Sequence, residues 1–470
     1  MKILVLQLTR LGDILCTMPT LLALRRTYPE AEIHFLVRKR FAPAALVTKP
    51  YDHLWQWDAK RLLGDFIVGK GSITDGITRL SETIHQLRQE NFDKIINLSF
   101  SPSSSFITHL ISQNKIPTKG YTRTEDFYLA VPDEPSGYVR AQVGLDRSNR
   151  RHIIDILSDV AQVKLVDSDL HPFAIDEKKE GIVCHLGASR DHKTWPSISW
   201  IGFFNRLAQT QNESITLIGS NDDIELAQEI LTQIKSDKII NSVGKTSWNE
   251  LISILRIAKL FIGADSGPLH AASLAGCKTL NLSLGNVRFW ETGPTVKGSR
   301  VLRSREPQHL MSDIVFNHCK NMLDDGDQFS ESALCTGESD LRYKVYGGTN
   351  FEPDAWGTVH WMYFGGPRPQ FLGDLPEALK QIEEVTDIAV LQVDALKQNA
   401  EKTEIIGILD SLDDVLEIMR KSIPPISPLL EEFRGSKENI APGSRDEVFD
   451  KTRQCYLNLK GRVSALQTKG

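Results

Sequence analysis

Three short stretches place reactive side chain types where an apolar run hands over to a helical pattern. In "LTRLGDILCTMPTLLALRR", Asp13 follows a glycine between a buried-strand pattern, Ile3 to Leu8, and a run with Leu15, Met18, Leu22 and Ala23 at helical spacing. A carboxylate at such a seam either caps a helix or accepts a proton at the carboxyl end of a strand. In "GASRDHKTWP", Ser189, Arg190 and Lys193 stand beside helix-start amides, an arrangement suited to a diphosphate. An ordinary polar connection would have the same composition. In "GADSGPLH", Asp265, Ser266 and Gly267 precede a helix with His270 in its first turn. There Ser266 is a natural cap, Pro268 suits a helix start, and the glycine permits close backbone approach. His270 alone reads equally well as a satisfied core histidine.

Other matches fail on inspection. "GKT" at 244–246 would need its leading glycine at 239, which is Ile239. "GADSG" carries Asp265 where a serine-hydrolase elbow needs serine. "DSD" at 167–169 imitates a metal-holding carboxylate pair, but two aspartates one residue apart are common by chance, and no metal site is expected. Six cysteines (Cys16, Cys184, Cys277, Cys319, Cys335, Cys455) lack metal-ligand spacing, and the first three sit in apolar contexts like reduced core thiols.

These loops need a frame. From residue 181 it is an alternation: "GIVCHL", "ITLIG", "KIINSV", "LFIGA" and "KTLNLSL" read as strands with helical patterns between them, the last closing the series. "KILVLQL", "AEIHFLV" and "DKIINLSF" are strand candidates of a first half in the same style. Such alternation predicts parallel sheets covered by helices, and two halves joined near 165–180 would face a ligand cleft at their strands' carboxyl ends. Pro19 leaves two starts for the first helix, near Gly12 with a kink or near Met18 with Thr17 as cap. After about residue 310 the style changes. The aromatic, glycine-rich stretch 343–366 reads as hairpin or loop. Three amphipathic patterns follow: Leu375, Leu379, Ile382, Val385; Ile405, Leu409, Leu412, Leu416, Met419; and Val448, Cys455, Leu459, Val463. They predict a helical bundle, with the proline-rich residues 424–445 as a connector. The expected division is 1–165, 175–308 and 310–470.

At 470 residues the chain has length for two or three domains, and 41% hydrophobic with 24% charged residues excludes a disordered or fibrous class. No apolar run approaches the ~18 residues of a membrane helix. Arg10 and Asp13 break the N-terminal apolar run, so no signal peptide is read there, and the cytoplasm is the expected compartment. A net charge of −5 argues against a general nucleic-acid binder. Residues 1–150 nevertheless hold 20 Lys+Arg against 15 Asp+Glu, with Arg25, Arg26, Arg38, Lys39 and Arg40 in the first fifty. Solvated surface is the plain reading. The sharper one is a face for an anionic acceptor or an acidic membrane surface.

Residues 1 to about 305 resemble the heptosyltransferase family of lipopolysaccharide-core glycosyltransferases (glycosyltransferase family 9). The segments that carry the resemblance are "LTRLGDILCTMPTLLALRRTYP", "HLGASRDHKTWP" and "GADSGPLHAASLAGCKTLNLSLG". The resemblance implies a GT-B fold: two Rossmann-like halves, the first binding acceptor and the second a nucleotide-sugar, here followed by a mainly helical extension. It implies that Asp13 is the catalytic base, with Arg10 and Gly12 on the acceptor side. Ser189 and Lys193 match donor-phosphate contacts, with Arg190 beside them. Asp265, Ser266, Gly267 and His270 match the loop that meets the sugar and diphosphate. Where the family often has a glutamate for the donor ribose, this chain has Asn221, Asp222 and Asp223, and Asp222 is the candidate.

The expected activity is inverting, metal-independent transfer of heptose from ADP-heptose to a lipopolysaccharide inner-core or related surface-glycan acceptor, anionic and lipid-linked or a free glycan. No cofactor and no nucleic acid are implied, and a peripheral contact with the inner face of the cytoplasmic membrane fits the basic bias. Alternatives are another nucleotide-sugar on the same fold, or a non-catalytic nucleotide-sugar-binding scaffold in which the bundle meets a protein partner. The joint presence of Asp13, Lys193, Asp265 and His270 weighs against the scaffold.

Overall fold

The computed structural model describes residues 1–69, 72–144, 147–188, 190–210, 212–234, 236–324, 343–346, 355–369, 375–398 and 403–467. Two parallel sheets organise it. The first contains β1 (Lys2–Gln7), β2 (Glu32–Arg38), β3 (His53–Trp57), β4 (Lys94–Asn97) and β5 (Thr118–Gly120), in the order β3-β2-β1-β4-β5. A short antiparallel pair follows, β6 (Thr122–Arg123) with β7 (Leu129–Ala130). The second sheet contains β8 (Ile182–His185), β9 (Ile215–Ile218), β10 (Ile239–Asn241), β11 (Leu260–Ala264), β12 (Thr279–Leu284), β13 (Ser299–Ser304) and β14 (Tyr343–Tyr346). Its order is β10-β9-β8-β11-β12-β13-β14, and its pairs are parallel. The strand order reverses between β8 and β11, so the loops leaving these neighbours flank a switch point.

The chain packs as two units, one of Met1, Gln7–Gly76 and Arg151–Asn350, the other of Lys2–Leu6, Ile77–Arg150 and Phe351–Gly470. In the first unit the central strands β8, β11 and β12 of the second sheet are buried on both faces, as their apolar runs require. One face carries an aromatic cluster. Trp195 meets Trp200 edge-on at 4.8 Å, Trp200 stacks on Phe204 at 5.3 Å, and the Trp195 indole N–H donates to the Leu310 carbonyl at 2.8 Å. A buried indole N–H loses its bonds to water, and the Leu310 carbonyl replaces them for Trp195.

In the second unit, the helices Leu375–Gln398, Thr403–Ser422, Ser427–Glu438 and Arg445–Gln467 enclose an apolar core containing Leu379, Ile382, Leu416, Leu430, Tyr456 and Val463. The bundle also packs on the helix Glu134–Gln142. Tyr138 meets Tyr363 edge-on at 5.0 Å, Gln142 Nε2 donates to the Pro428 carbonyl at 3.1 Å, and Arg140 pairs with Glu438 at 2.5 Å. Buried Glu431 is paired with Arg147, Arg420 and Arg434.

Several expectations are corrected. Of the two starts left open for the first helix, the structure has the one near Gly12: the helix runs unbroken over Leu11–Thr27, with Pro19 inside it. Thr17 is no cap. It is buried, its hydroxyl donating to the Asp13 carbonyl at 2.7 Å and accepting Gln7 Nε2 at 3.1 Å. The series does not close at "KTLNLSL": β13 and β14 extend the sheet. The segment read as hairpin or loop is an edge strand at Tyr343–Tyr346 and a helix at Trp356–Phe364, while residues 347–354 lie outside the described residues. Trp356, His360 and Phe364 recur at one-turn spacing with ring centroids 5.9 and 6.2 Å apart along the helix, which a hairpin would not bring together. The supposed connector contains the helix Ser427–Glu438. Pro428 falls in its first turn, where the missing N–H costs nothing, and Leu429, Leu430 and Phe433 are buried. The expected boundary at 308–310 precedes a helix, Ser312–Leu323, whose Val315, Phe316, Cys319 and Met322 belong to the second sheet's core.

Candidate functional site

Two helix starts meet in the first unit. A Cβ added to Gly12 would lie 3.1 Å from His270 Cδ2, and one added to Gly267 would lie 2.8 Å from Leu11 Cδ2 and 3.0 Å from Trp248 Cη2. Glycine at both positions lets the first turn of Leu11–Thr27 approach that of Gly267–Leu274. The positive ends of both helix dipoles converge there, a setting for negative charge.

Asp13 occupies the third position of its helix, with Arg10 as N-cap. Its Oδ2 accepts the Arg10 backbone N–H at 2.9 Å, and Oδ1 takes no part in that bond. The carboxylate is half-buried, so capping and proton acceptance are compatible. Asp265, also half-buried, accepts the Thr292 hydroxyl at 2.9 Å. Both carboxylates act on His270 and on Cys16. Burial holds the His270 imidazole below its usual pKa against the pull of Asp265 and Asp13, which favours a neutral ring near pH 7. The Cys16 thiol is driven well above its ordinary value by burial and then by the same two carboxylates, so it stays protonated and inert. Asp13, Gly12, Asp265, Gly267 and His270 thus come together.

The remaining candidates sit on neighbouring loops. Arg190 is exposed and Lys193 half-buried in the 3₁₀ turn Asp191–Lys193 beyond β8, the strand beside β11. Gly285, with φ +68°, leaves room for the His192 carbonyl, which a Cβ there would meet at 2.7 Å. Ser189 lies outside the described residues. Ser266 is the N-cap residue, but its side chain makes no cap bond; its hydroxyl pairs with His185 Nδ1 at 3.1 Å. Asp222 is exposed beyond β9, whereas Asp223 folds inward. Asp223 Oδ2 accepts the Ser220 N–H at 2.6 Å, and a Cβ on Gly187 would come 1.7 Å from Asp223 Oδ1. The carboxylate bordering the Gly187 loop is Asp223. Sequence reasoning passed over it and over His185; a lone imidazole ending the apolar run "IVCH" was the available signal.

Much of the early basic set is committed to structure. Arg25 pairs with Asp52 at 2.5 Å and donates to the Ala31 carbonyl at 2.6 Å. Arg26 pairs with buried Asp169 at 2.7 Å, and Lys39 with Asp58 at 2.8 Å. Arg38 and Arg40 are exposed. Asp169 also accepts the Val166 N–H at 3.0 Å, so "DSD" caps a short helix. Among the described residues, Glu32, His34 and His53 bring ligand-type atoms within 4.8 Å of one another. The Trp55 indole N–H donates to His34 Nδ1 at 2.9 Å, which places the proton of the neutral ring on Nε2, facing Glu32 Oε1 at 3.0 Å. A metal at Nε2 would need the opposite tautomer. No helix among the described residues is long and apolar enough to cross a membrane.

Residues 80–310 match the family model described as glycosyltransferase family 9 (heptosyltransferase). The chain is 26% identical over 286 residues to lipopolysaccharide heptosyltransferase 3 of Escherichia coli strain K12, covering 58% of this chain and 79% of that protein. It is 23% identical over 293 residues to lipopolysaccharide heptosyltransferase 1 of Campylobacter coli, covering 58% and 80%. In fold it resembles the family 9 glycosyltransferase of Veillonella parvula (TM-score 0.54, 18% identity, 69% of this chain and 97% of that one). It likewise resembles the E. coli heptosyltransferase WaaC with ADP (TM-score 0.53, 16% identity, 68% and 100%). The architecture is therefore α/β of GT-B type with a helical C-terminal extension, and the chain is a glycosyltransferase whose residues 80–310 form a domain of family 9, the heptosyltransferases.

Proposed function

We propose that this glycosyltransferase moves a heptose from ADP-heptose to a lipopolysaccharide inner-core or related surface-glycan acceptor, with inversion and without a metal. The observation that carries the reading is the meeting of two helix starts, with Asp13 on one and Asp265 and His270 on the other. A sugar hydroxyl is a weak nucleophile at neutral pH. Asp13 removes its proton as the oxygen bonds to the anomeric carbon, and the nucleoside diphosphate leaves from the opposite face. Lys193, Arg190 and the amides of the Gly267–Leu274 helix offset the charge that develops on the leaving group. Asp265 and neutral His270 contact the transferred sugar, with the backbone of Ser266 and Gly267, and Ser189, on the phosphates. Arg10 and Gly12 border the acceptor. In this reading residues 1–165 hold the acceptor, 175–308 the donor, and the enzyme works in the cytoplasm, where exposed Arg38 and Arg40 suit an anionic lipid-linked acceptor.

The relatives named above support the reading through the transfers their names describe. The test is a saturation-transfer screen of ADP- and UDP-sugars on the full chain, followed by product analysis with heptose-deficient lipopolysaccharide. Binding of ADP-heptose and release of ADP in the presence of EDTA are expected. Preference for a UDP-sugar, or transfer that stops with EDTA, overturns the donor or the metal-free mechanism respectively.

A further inference from the structure

We infer that His185 is a positioning residue: its ring holds the Ser266 hydroxyl off the amides of the Gly267–Leu274 helix, keeping that helix start open to the donor's diphosphate. The inference rests on the reading of this loop as the donor-phosphate site.

His185 ends β8 directly opposite Gly263 of β11, and its side chain is buried. Ser266 Oγ lies 3.1 Å from His185 Nδ1 and 3.2 Å from the Ala264 carbonyl oxygen. A hydroxyl has one proton, and a carbonyl can only accept. Both contacts are satisfied together only if Ser266 donates to Ala264 and the ring donates its Nδ1 proton to Ser266 Oγ. Burial brings the ring down to about 4 against the pull of Asp223, so near pH 7 it is neutral and this tautomer persists.

The consequence lies at the helix start. A serine at the N-cap ordinarily accepts an amide of the first turn. Pro268 has no N–H, so the amide available to a capping Ser266 is that of Leu269, which here turns to the Ser266 carbonyl at 3.0 Å. With its hydroxyl engaged by His185, Ser266 leaves this turn uncapped by any side chain of its own. Removing the Nδ1 donor releases the hydroxyl to cap Leu269 and to compete with an incoming phosphate oxygen.

The test compares two polar replacements on the full chain, reading ADP affinity by calorimetry. The Asn side-chain amide reaches about where Nδ1 stands, whereas that of Gln reaches toward the Nε2 position. His185→Asn should keep ADP affinity within about twofold, and His185→Gln should lose about tenfold, the scale of one hydrogen bond. The loss should vanish in a Ser266→Ala background, where no hydroxyl remains to swing. Equal affinities for the Asn and Gln variants overturn the inference, as does an equal loss with and without the Ser266 hydroxyl. Failure of the unaltered chain to bind ADP overturns the donor reading as well, which separates the two failures. Should His185→Gln not fold, His185→Asn combined with Ser266→Thr, whose hydroxyl stays within reach of the Asn amide, must retain affinity; its loss overturns the inference.

Discussion

Asp13 has two duties that can be separated. Its Oδ2 caps the first helix through the Arg10 amide, and Asn can accept the same bond. Asp13→Asn should therefore leave the melting temperature near that of the unaltered chain while turnover with ADP-heptose falls by about 10²–10⁴, the contribution of a general base. Near-normal turnover would leave Asp13 a helix cap. Lys193 is expected to act in both ground and transition states. Lys193→Ala should weaken donor binding and slow transfer together, each within the about 1.5–3 kcal/mol range of a charge-assisted contact. Unchanged affinity in the folded variant would remove Lys193 from the site. Asp13 and the 265–270 loop could be read from sequence because strand, glycine and helix start are adjacent there. The partnership of His185 with Ser266 spans 81 residues and left no local trace. Asp223 was hidden by its neighbour, since nothing in "NDD" says which carboxylate turns inward.

Among elements, the strands rich in Ile, Leu and Val were legible, whereas β3, β5 and the arginine-bearing β13 were not. In β13, Arg300 is buried and Arg303 half-buried, which breaks the apolar run expected of a central strand. Both are compensated by distant groups: Arg300 donates to Asn321 Oδ1 at 2.6 Å, and Arg303 to the Ser283 carbonyl at 3.3 Å and to the Gly285 carbonyl. β14 pairs with β13 at the sheet's edge, and the helix Ser312–Leu323 covers one face. A chain ending at Pro307 should consequently be insoluble or unable to bind ADP, having lost Val315, Phe316, Cys319, Met322 and Tyr346 from one core. A chain ending near residue 350 should retain ADP binding. Soluble, ADP-binding protein from the shorter chain would show that these elements are dispensable. The helix Ser427–Glu438 escaped notice for a different reason, because prolines signal interruption unless the register places them in a first turn.

At the scale of the whole molecule, the C-terminal helices were foreseen as an attachment, and their tie to residues 77–150 was not. Tyr138, Gln142, Arg140 and Arg147 all find partners beyond residue 355. Deleting 355–467 should make the Glu134–Gln142 region the first site of limited proteolysis, since a buried tyrosine and an amide would be uncovered. An unchanged cleavage pattern would mean that this helix is held by its own neighbours. The same tie sets a clock on biosynthesis. Glu134–Gln142 leaves the ribosome more than 280 residues ahead of its partners in Ser427–Glu438, a delay of roughly 15–60 s at bacterial and eukaryotic elongation rates. Through that interval the Gln142 amide awaits a surface not yet made, and the chain's last helices decide when its first half is finished.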